Sequence, residues 1–249
     1  MSDLRLRTRF TYRGLRARLR DQRAEIRALV GHLERGDVAV DIGANKGAYL
    51  PSLARAVPDG RVVAFEPQPP LAAYLERACA AAGLRNVVIE GIGISDHDGS
   101  RPLAVPGDGT SSQDASFEPE ARARAGEGRT VEVPVRTLDG YFADESARIG
   151  ALKIDVEGHE LSVLRGAEKI LTEHGPLLVC EIEARHLPDR DVVRVLDWLR
   201  AAGYDGHFVR RSRLVPIAEF HPHRDQSTEG ERFWNRADYC NNFILTRSG

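Results

Sequence analysis

The chain has 249 residues, 35 Lys and Arg against 37 Asp and Glu for a net charge of −2, and 42% hydrophobic residues. That length suits one α/β domain with a sizeable core, and the near-neutral balance argues against a globally polyanion-binding protein. Three widely spaced cysteines, Cys79, Cys180 and Cys240, suggest neither a disulfide framework nor a zinc site. No apolar run reaches the roughly 18 residues of a membrane span, so the expected setting is the cytoplasm, with no membrane partner.

The first stretch, 1–35, carries arginine at positions 5, 7, 9, 13, 16, 18, 20, 23, 27 and 35. Leu15, Leu19, Ile26, Leu29 and Leu33 recur at near-helical spacing, which predicts one or two amphipathic helices. This helical N-terminal arm is read as distinct from the domain over 36–249. Its basic face is either a solvated surface or a contact for a phosphate-bearing acceptor or a second copy of the chain, as a homo-oligomer.

From Val38 onward, strand-like and helix-like segments alternate, the pattern of a doubly wound parallel sheet. Strands are expected at 38–43, 61–67, 86–94, 151–156 and 177–183, with helices at 70–82, 160–173 and 190–202. Gly203 stops the last helix. The region 99–129 is rich in Gly, Ser, Asp, Glu and Pro and reads as a loop or lid. The runs at 206–217 and 239–246 are strand-like with no clear helix between them, an antiparallel pair at one sheet edge.

Ligands of open α/β sheets bind outside the carboxyl ends of the strands. The first strand ends in Asp41, Gly43, Ala44, Asn45 and Gly47, where small residues admit a ligand to the backbone. The spacing is GxxxG rather than the GxGxxG a dinucleotide needs. Asp41 would repel a pyrophosphate but suits a cofactor with an ammonium at its amino acid end. The second strand ends in Glu66 and Pro67, where an acid meets a ribose diol. After the third, Gly93, Ser95 and Asp96 offer small and polar groups to an adenine edge or simply form a turn.

The segment ALKIDVEGHELSVLRGAEKIL gathers Asp155, Glu157, His159 and Glu160 at one strand end, with Lys153 as a charge partner on the strand. In order, VAVDIGANKGAYL, VVAFEP, NVVIEGIGISDHDG, VPVRTLDGYF and KIDVEGHELSVLRGA make the chain resemble the FkbM family of methyltransferases over roughly 36–247. The resemblance implies a class I methyltransferase, Rossmann-like fold, mostly parallel with an antiparallel C-terminal edge pair. It also implies S-adenosylmethionine as donor and a small-molecule hydroxyl acceptor such as a sugar, nucleoside, polyketide or other secondary metabolite. Matching positions are Asp41, Gly43, Asn45, Gly47 and Glu66 for the cofactor, with Asp155 and Glu157 at the reaction end.

Transfer to a hydroxyl needs alignment and a base. His159 is a candidate because its reference pKa suits neutral pH, and Asp155 is the alternative base or an orienter of the hydroxyl. Asp155, Glu181 and Glu183 form a candidate Mg2+ set, since alternate residues of a strand share a face. His221 and His223 in the tail lack a third matched ligand, so that segment reads as a substrate-facing loop. The rival readings are an N-methyltransferase, an NAD-dependent oxidoreductase, a non-catalytic cofactor-binding module, and a nucleic-acid methyltransferase, the last disfavoured by the lack of a basic core face.

Overall fold

A computed structural model describes residues 2–106, 115–118, 128–187 and 189–248. Five strands form the parallel part of the main sheet: β1 (Val38–Ile42), β2 (Arg61–Phe65), β3 (Val87–Glu90), β7 (Ile149–Ile154) and β8 (Leu177–Glu181). Three more, β9 (Tyr204–Arg210), β10 (Arg213–Pro216) and β11 (Asn242–Arg247), complete it in the order β3-β2-β1-β7-β8-β11-β9-β10. The β3-β2-β1-β7-β8 run is parallel, and β11 pairs antiparallel with both β8 and β9. The fold is therefore α/β and mostly parallel, with an antiparallel edge and helices on both faces.

All five β1 residues are buried, as a strand covered on both faces requires. Val38, Val40 and Ile42 face a core shared with Leu161, Leu164 and Leu196. Ala39 faces the opposite core, with Leu6, Phe10, Ile26, Leu29 and Leu75. By the two-residue period of a strand, Asp41 lies on the same side as Ala39.

The arm is two helices, α1 (Asp3–Arg16) and α2 (Arg23–His32), joined by a π-helical turn over Ala17–Asp21. Helices α3 (Leu50–Ala56) and α4 (Pro69–Ala82) pack beside them. The buried side of the arm carries Leu6, Phe10, Ala17, Ile26 and Leu29. Leu15 and Leu19, expected on the packed face, are exposed at 53% and 63%: the π turn interrupts the 3.6-residue period on which that expectation rested.

Other elements also differ from the sequence pattern. The third expected strand is two, because β4 (Gly93–Ile94) leaves the main sheet and pairs with β6 (Gly128–Arg136). β6 pairs antiparallel with β5 (Gly99–Pro106) along eight residue pairs. Both ends of the expected loop at 99–129 are thus strand; 107–114 and 119–127 lie outside the described residues. The single helix expected at 160–173 is two, α6 (Glu160–Arg165) and α7 (Glu168–Glu173), following the short α5 (Leu138–Tyr141). The break falls at Gly166, whose carbonyl accepts the Asp139 N–H at 2.9 Å. The last helix, α8 (Val192–Ala201), starts on an Asp191 side-chain cap to the Arg194 N–H. The first expected C-terminal strand is a hairpin, β9 and β10, so the antiparallel edge has three strands rather than two.

Phe10 is fully buried against the domain. Phe10→Ala is expected to lower unfolding free energy by about 3–5 kcal/mol in urea titration; a loss under about 1 kcal/mol would show that the arm is not packed as described.

Candidate functional site

β1 and β7 run parallel in a register that sets Asp41 opposite Lys153. Lys153 is buried, and its ammonium donates to the Gly43 carbonyl at 2.8 Å. It lies 3.1 Å from Asp41 Oδ1 and 3.4 Å from Asp155 Oδ2, with the Tyr49 ring 5.4 Å away. Burial alone favours the neutral amine, but the two carboxylates outweigh it and hold Lys153 protonated, above its ordinary value. One cation thereby ties together the carboxyl ends of two strands.

The turn after β1 is as constrained as the strands. Gly43 has φ +79°, and a Cβ there would lie 1.8 Å from the Asp155 carbonyl oxygen, so only glycine fits. The N–H groups of Gly43 and Ala44 both donate to the Phe65 carbonyl at 3.0 Å. Asn45 follows with φ +48° and donates its N–H to Glu66 Oε2 at 2.7 Å. The other carboxylate oxygen of Glu66 accepts the Gln68 N–H at 3.0 Å, so this acid bridges two strand-end turns. Its burial pushes the carboxyl pKa up against those bonds.

These ends line a cleft with about 490 Å³ of empty space, counting its open mouth. Gly43, Asn45, Glu66, Pro67, Asp155 and Glu157 line it. Among the residues proposed from sequence for the cofactor, four others sit behind the wall. Asp41 is fully buried against Lys153 rather than facing a ligand. Ala44 packs into the arm-side core. Gly47 lies under Phe10 and Leu75, both 2.8 Å from where a Cβ would stand, so its requirement is packing. Ser95 is buried with its hydroxyl on His159.

His159 is also behind the wall, 1% exposed. Its Nδ1 is 2.6 Å from Glu118 Oε1 and its Nε2 is 3.0 Å from Ser95 Oγ. Both ring nitrogens have partners, so the expectation of a base facing the acceptor gives way to a strut between two segments. Glu118 belongs to the short piece 115–118, which bridges β5 through reciprocal Ala104 and Ser116 backbone bonds. Ser116 Oγ donates to the Glu157 carbonyl at 2.7 Å. Phe117 and Ala115 from this piece, with Leu103, close the cleft.

Sequence reasoning missed Gln68, Leu103, Ala115, Val156 and Phe117 as cleft residues. Gln68 was within reach, two positions beyond an acid already singled out. Ala115 and Phe117 fall in the segment read as a lid, but nothing in its composition marks which residues turn inward.

Among the described residues no group of three or more His, Cys, Asp or Glu side chains is arranged to hold a metal ion. Glu181 accepts from Asn241 and Glu183 pairs with Arg185 and His186, so the Mg2+ set of Asp155, Glu181 and Glu183 does not carry over. Ile182 between them packs into the core. Of the tail histidines, His221 is the N-cap of a helical turn, α9 (Pro222–Asp225), and His223 lies within it. Next to it the buried Gln226 amide donates to the Ile182 and Cys240 carbonyls at 2.7 and 2.9 Å.

Glu160 opens α6 fully buried; its Oε1 accepts the Gly158 N–H at 3.0 Å while Oε2 has no partner. Burial raises its pKa to about 8.

The family described as methyltransferase FkbM domain matches residues 41–205. Hexuronic acid methyltransferase AglP of Haloferax volcanii is 32% identical over 189 residues, covering 72% of this chain and 70% of that protein. Methyltransferase sdnD of Sordaria araneosa is 31% identical over 174 residues, covering 60% of this chain and 66% of that protein, just under two thirds of its length. A crystal structure of methyltransferase FkbM from Methylobacillus flagellatus KT superposes with a TM-score of 0.53 at 18% identity, over 86% of this chain and 44% of that one.

Lys153→Met leaves Asp41 uncompensated in the interior, and its expected cost is about 3–5 kcal/mol in chemical denaturation; an unchanged midpoint would mean that the cation does not hold the strand ends. For Glu160 the folded pKa exceeds the unfolded one, so the folded state binds the extra proton. Stability is fully present below the unfolded carboxylate pKa and declines as pH rises toward about 8. Glu160→Gln should flatten that decline between roughly pH 5 and 8 in unfolding free energies measured across pH, and a slope identical to wild type would contradict the assignment.

Proposed function

The chain belongs to the FkbM methyltransferase family, and from that premise we propose that it moves a methyl group from S-adenosylmethionine to a hydroxyl oxygen of a small acceptor. The observation that carries this reading is the cleft at the carboxyl ends of β1, β2 and β7, where Asn45, Glu66 and Asp155 converge. It sits where open parallel sheets bind nucleoside ligands.

The residues fit the donor. Glu66 has two carboxylate oxygens, each accepting one backbone N–H, and the Gln68 side chain bonds the same carboxylate; a carboxylate with about four acceptor positions still has room for a ribose hydroxyl. Asn45 Oδ1 is buried and without a partner, an acceptor suited to the ammonium or hydroxyls of the donor. Gly43 lets the backbone come close, and Gln68 and Phe117 add a polar and an aromatic wall. Asp41, expected to hold the ammonium directly, acts at one remove by fixing Lys153 and with it the Gly43 carbonyl. When bound, S-adenosylmethionine supplies a methyl group on a cationic sulfur that departs as a neutral thioether.

At the acceptor end Asp155 is the carboxylate that reaches the cleft, with its side chain 32% exposed beside the Lys153 ammonium. Asp155 orients the acceptor hydroxyl and takes its proton as the oxygen attacks. Glu157 narrows the same end; its carboxylate is 2.8 Å from His186 Nε2, and burial raises its pKa. His159 and Glu118 hold the 115–118 piece over the cleft so that water is excluded during transfer. Oxygen as the nucleophile is supported by the relative acting on a hexuronic acid, a sugar whose own nucleophilic atoms are all oxygens.

Two variants separate donor binding from chemistry. Glu66→Gln should weaken S-adenosylmethionine binding by about 1–3 kcal/mol in calorimetry. Asp155→Asn should bind the donor yet lower kcat about 10²–10⁴-fold in an S-adenosylhomocysteine release assay with uronic acid and neutral sugar acceptors. Full turnover by Asp155→Asn would remove it as the base, and absence of donor binding by the wild type would remove the reading itself.

A further inference from the structure

Eight large hydrophobic residues of the described chain are exposed, and four of them, Leu4, Tyr12, Leu15 and Leu19, lie on the arm and its π turn. They are 73%, 64%, 53% and 63% exposed. At about 100° per residue, Leu4, Thr8, Tyr12 and Leu15 fall within roughly a quarter turn of α1, opposite the face that buries Leu6, Phe10 and Gly14. Arg5, Arg9 and Arg16 flank that stripe on one side and Arg7 on the other. Arg5, Arg7, Arg9 and Arg18 have no carboxylate partner among the described residues, while Arg16 and Arg20 share Asp21.

We propose that this outer face of the arm docks on an anionic lipid bilayer surface. An apolar stripe bordered by arginines is the pattern of a helix lying in the membrane interface, with leucines at the acyl boundary and guanidinium groups among the headgroups. Charge selects this occupant over a second copy of the chain, since an isologous contact through this face would set the unpaired arginines of one arm against those of the other. It also favours lipid over nucleic acid, because phosphate contacts give the leucines nothing to bury against. Among the described residues no helix is long and apolar enough to cross a membrane, and the proposed contact is a peripheral one; it departs from the expectation of no membrane partner because Leu15 and Leu19 face outward. The opposite face is fixed to the turn bearing Asn45: Arg13 donates to the Lys46 carbonyl at 3.2 Å and to the Tyr74 hydroxyl at 3.3 Å. Docking would therefore set the orientation of the cleft relative to the bilayer.

The test is flotation of the full chain with phosphatidylcholine vesicles lacking or containing phosphatidylglycerol, over a salt series. The expected result is at least about tenfold stronger partitioning to the anionic vesicles, falling with salt. Leu4→Ser/Leu15→Ser/Leu19→Ser and Arg5→Gln/Arg7→Gln/Arg9→Gln/Arg18→Gln should each reduce it about tenfold or more with unchanged thermal melting, since all seven side chains are exposed. Equal partitioning to both vesicle types, or none, by the wild type overturns the proposal without use of a variant. So does full binding by the triple leucine variant, which would leave a purely electrostatic polyanion contact. A wild-type dimer that the leucine variant dissociates, seen by light scattering, would assign the face to a second copy instead.

Discussion

A buried ammonium with two carboxylates and a carbonyl around it sets the geometry on which the rest of the site depends. Lys153 lies within 3.4 Å of Asp41, Asp155 and the Gly43 oxygen. It cannot leave this position cheaply, because each buried charge would then lack compensation. The consequence is mechanical as well as electrostatic. β1 and β7 are held in register at their carboxyl ends, the Gly43 turn is drawn against the Asp155 backbone, and the Asp155 carboxylate is left at the edge of the cleft. A polar cluster of this kind contributes position more than stability, which is what a methyl transfer needs from its protein.

Much of this was legible in the sequence. Five strands of the parallel sheet, the mostly parallel architecture and the antiparallel edge follow from strand-length apolar runs alternating with helical segments. Gly43, Asn45, Glu66, Asp155 and Glu157, which line the cleft, could be placed at the carboxyl ends of the strands because that is where such sheets are read for sites. Lys153 was recognisable as a charge partner, but its partner was not, since register between β1 and β7 is a property of the sheet. Without that register, Asp41 reads as a ligand residue, whereas in the fold it is fully buried and ion-paired.

The remaining differences share a cause: each needed a contact between segments distant in sequence. His159 looks like a base by type and position, yet Glu118 and Ser95, 41 and 64 residues away, occupy its two nitrogens. Gly47 looks like part of a ligand turn, yet its lack of a side chain admits Phe10 of the arm. Leu15 and Leu19 share helical spacing with Leu29, but the π turn changes the phase and sends them outward. Local pattern identified the elements; non-local packing decided which face each residue took.

The proposed transfer moves a methyl group from S-adenosylmethionine, across the cleft beside Asp155, onto an acceptor oxygen. The most direct measurement is NMR of a uronic acid acceptor incubated with the protein and donor labelled with carbon-13 at the methyl. A labelled methoxyl signal correlated to a ring proton of the acceptor, formed in step with S-adenosylhomocysteine, is the predicted result. Label appearing on nitrogen in an amine-bearing acceptor while hydroxyl acceptors stay unlabelled, or donor binding with no transfer to any acceptor, would contradict it.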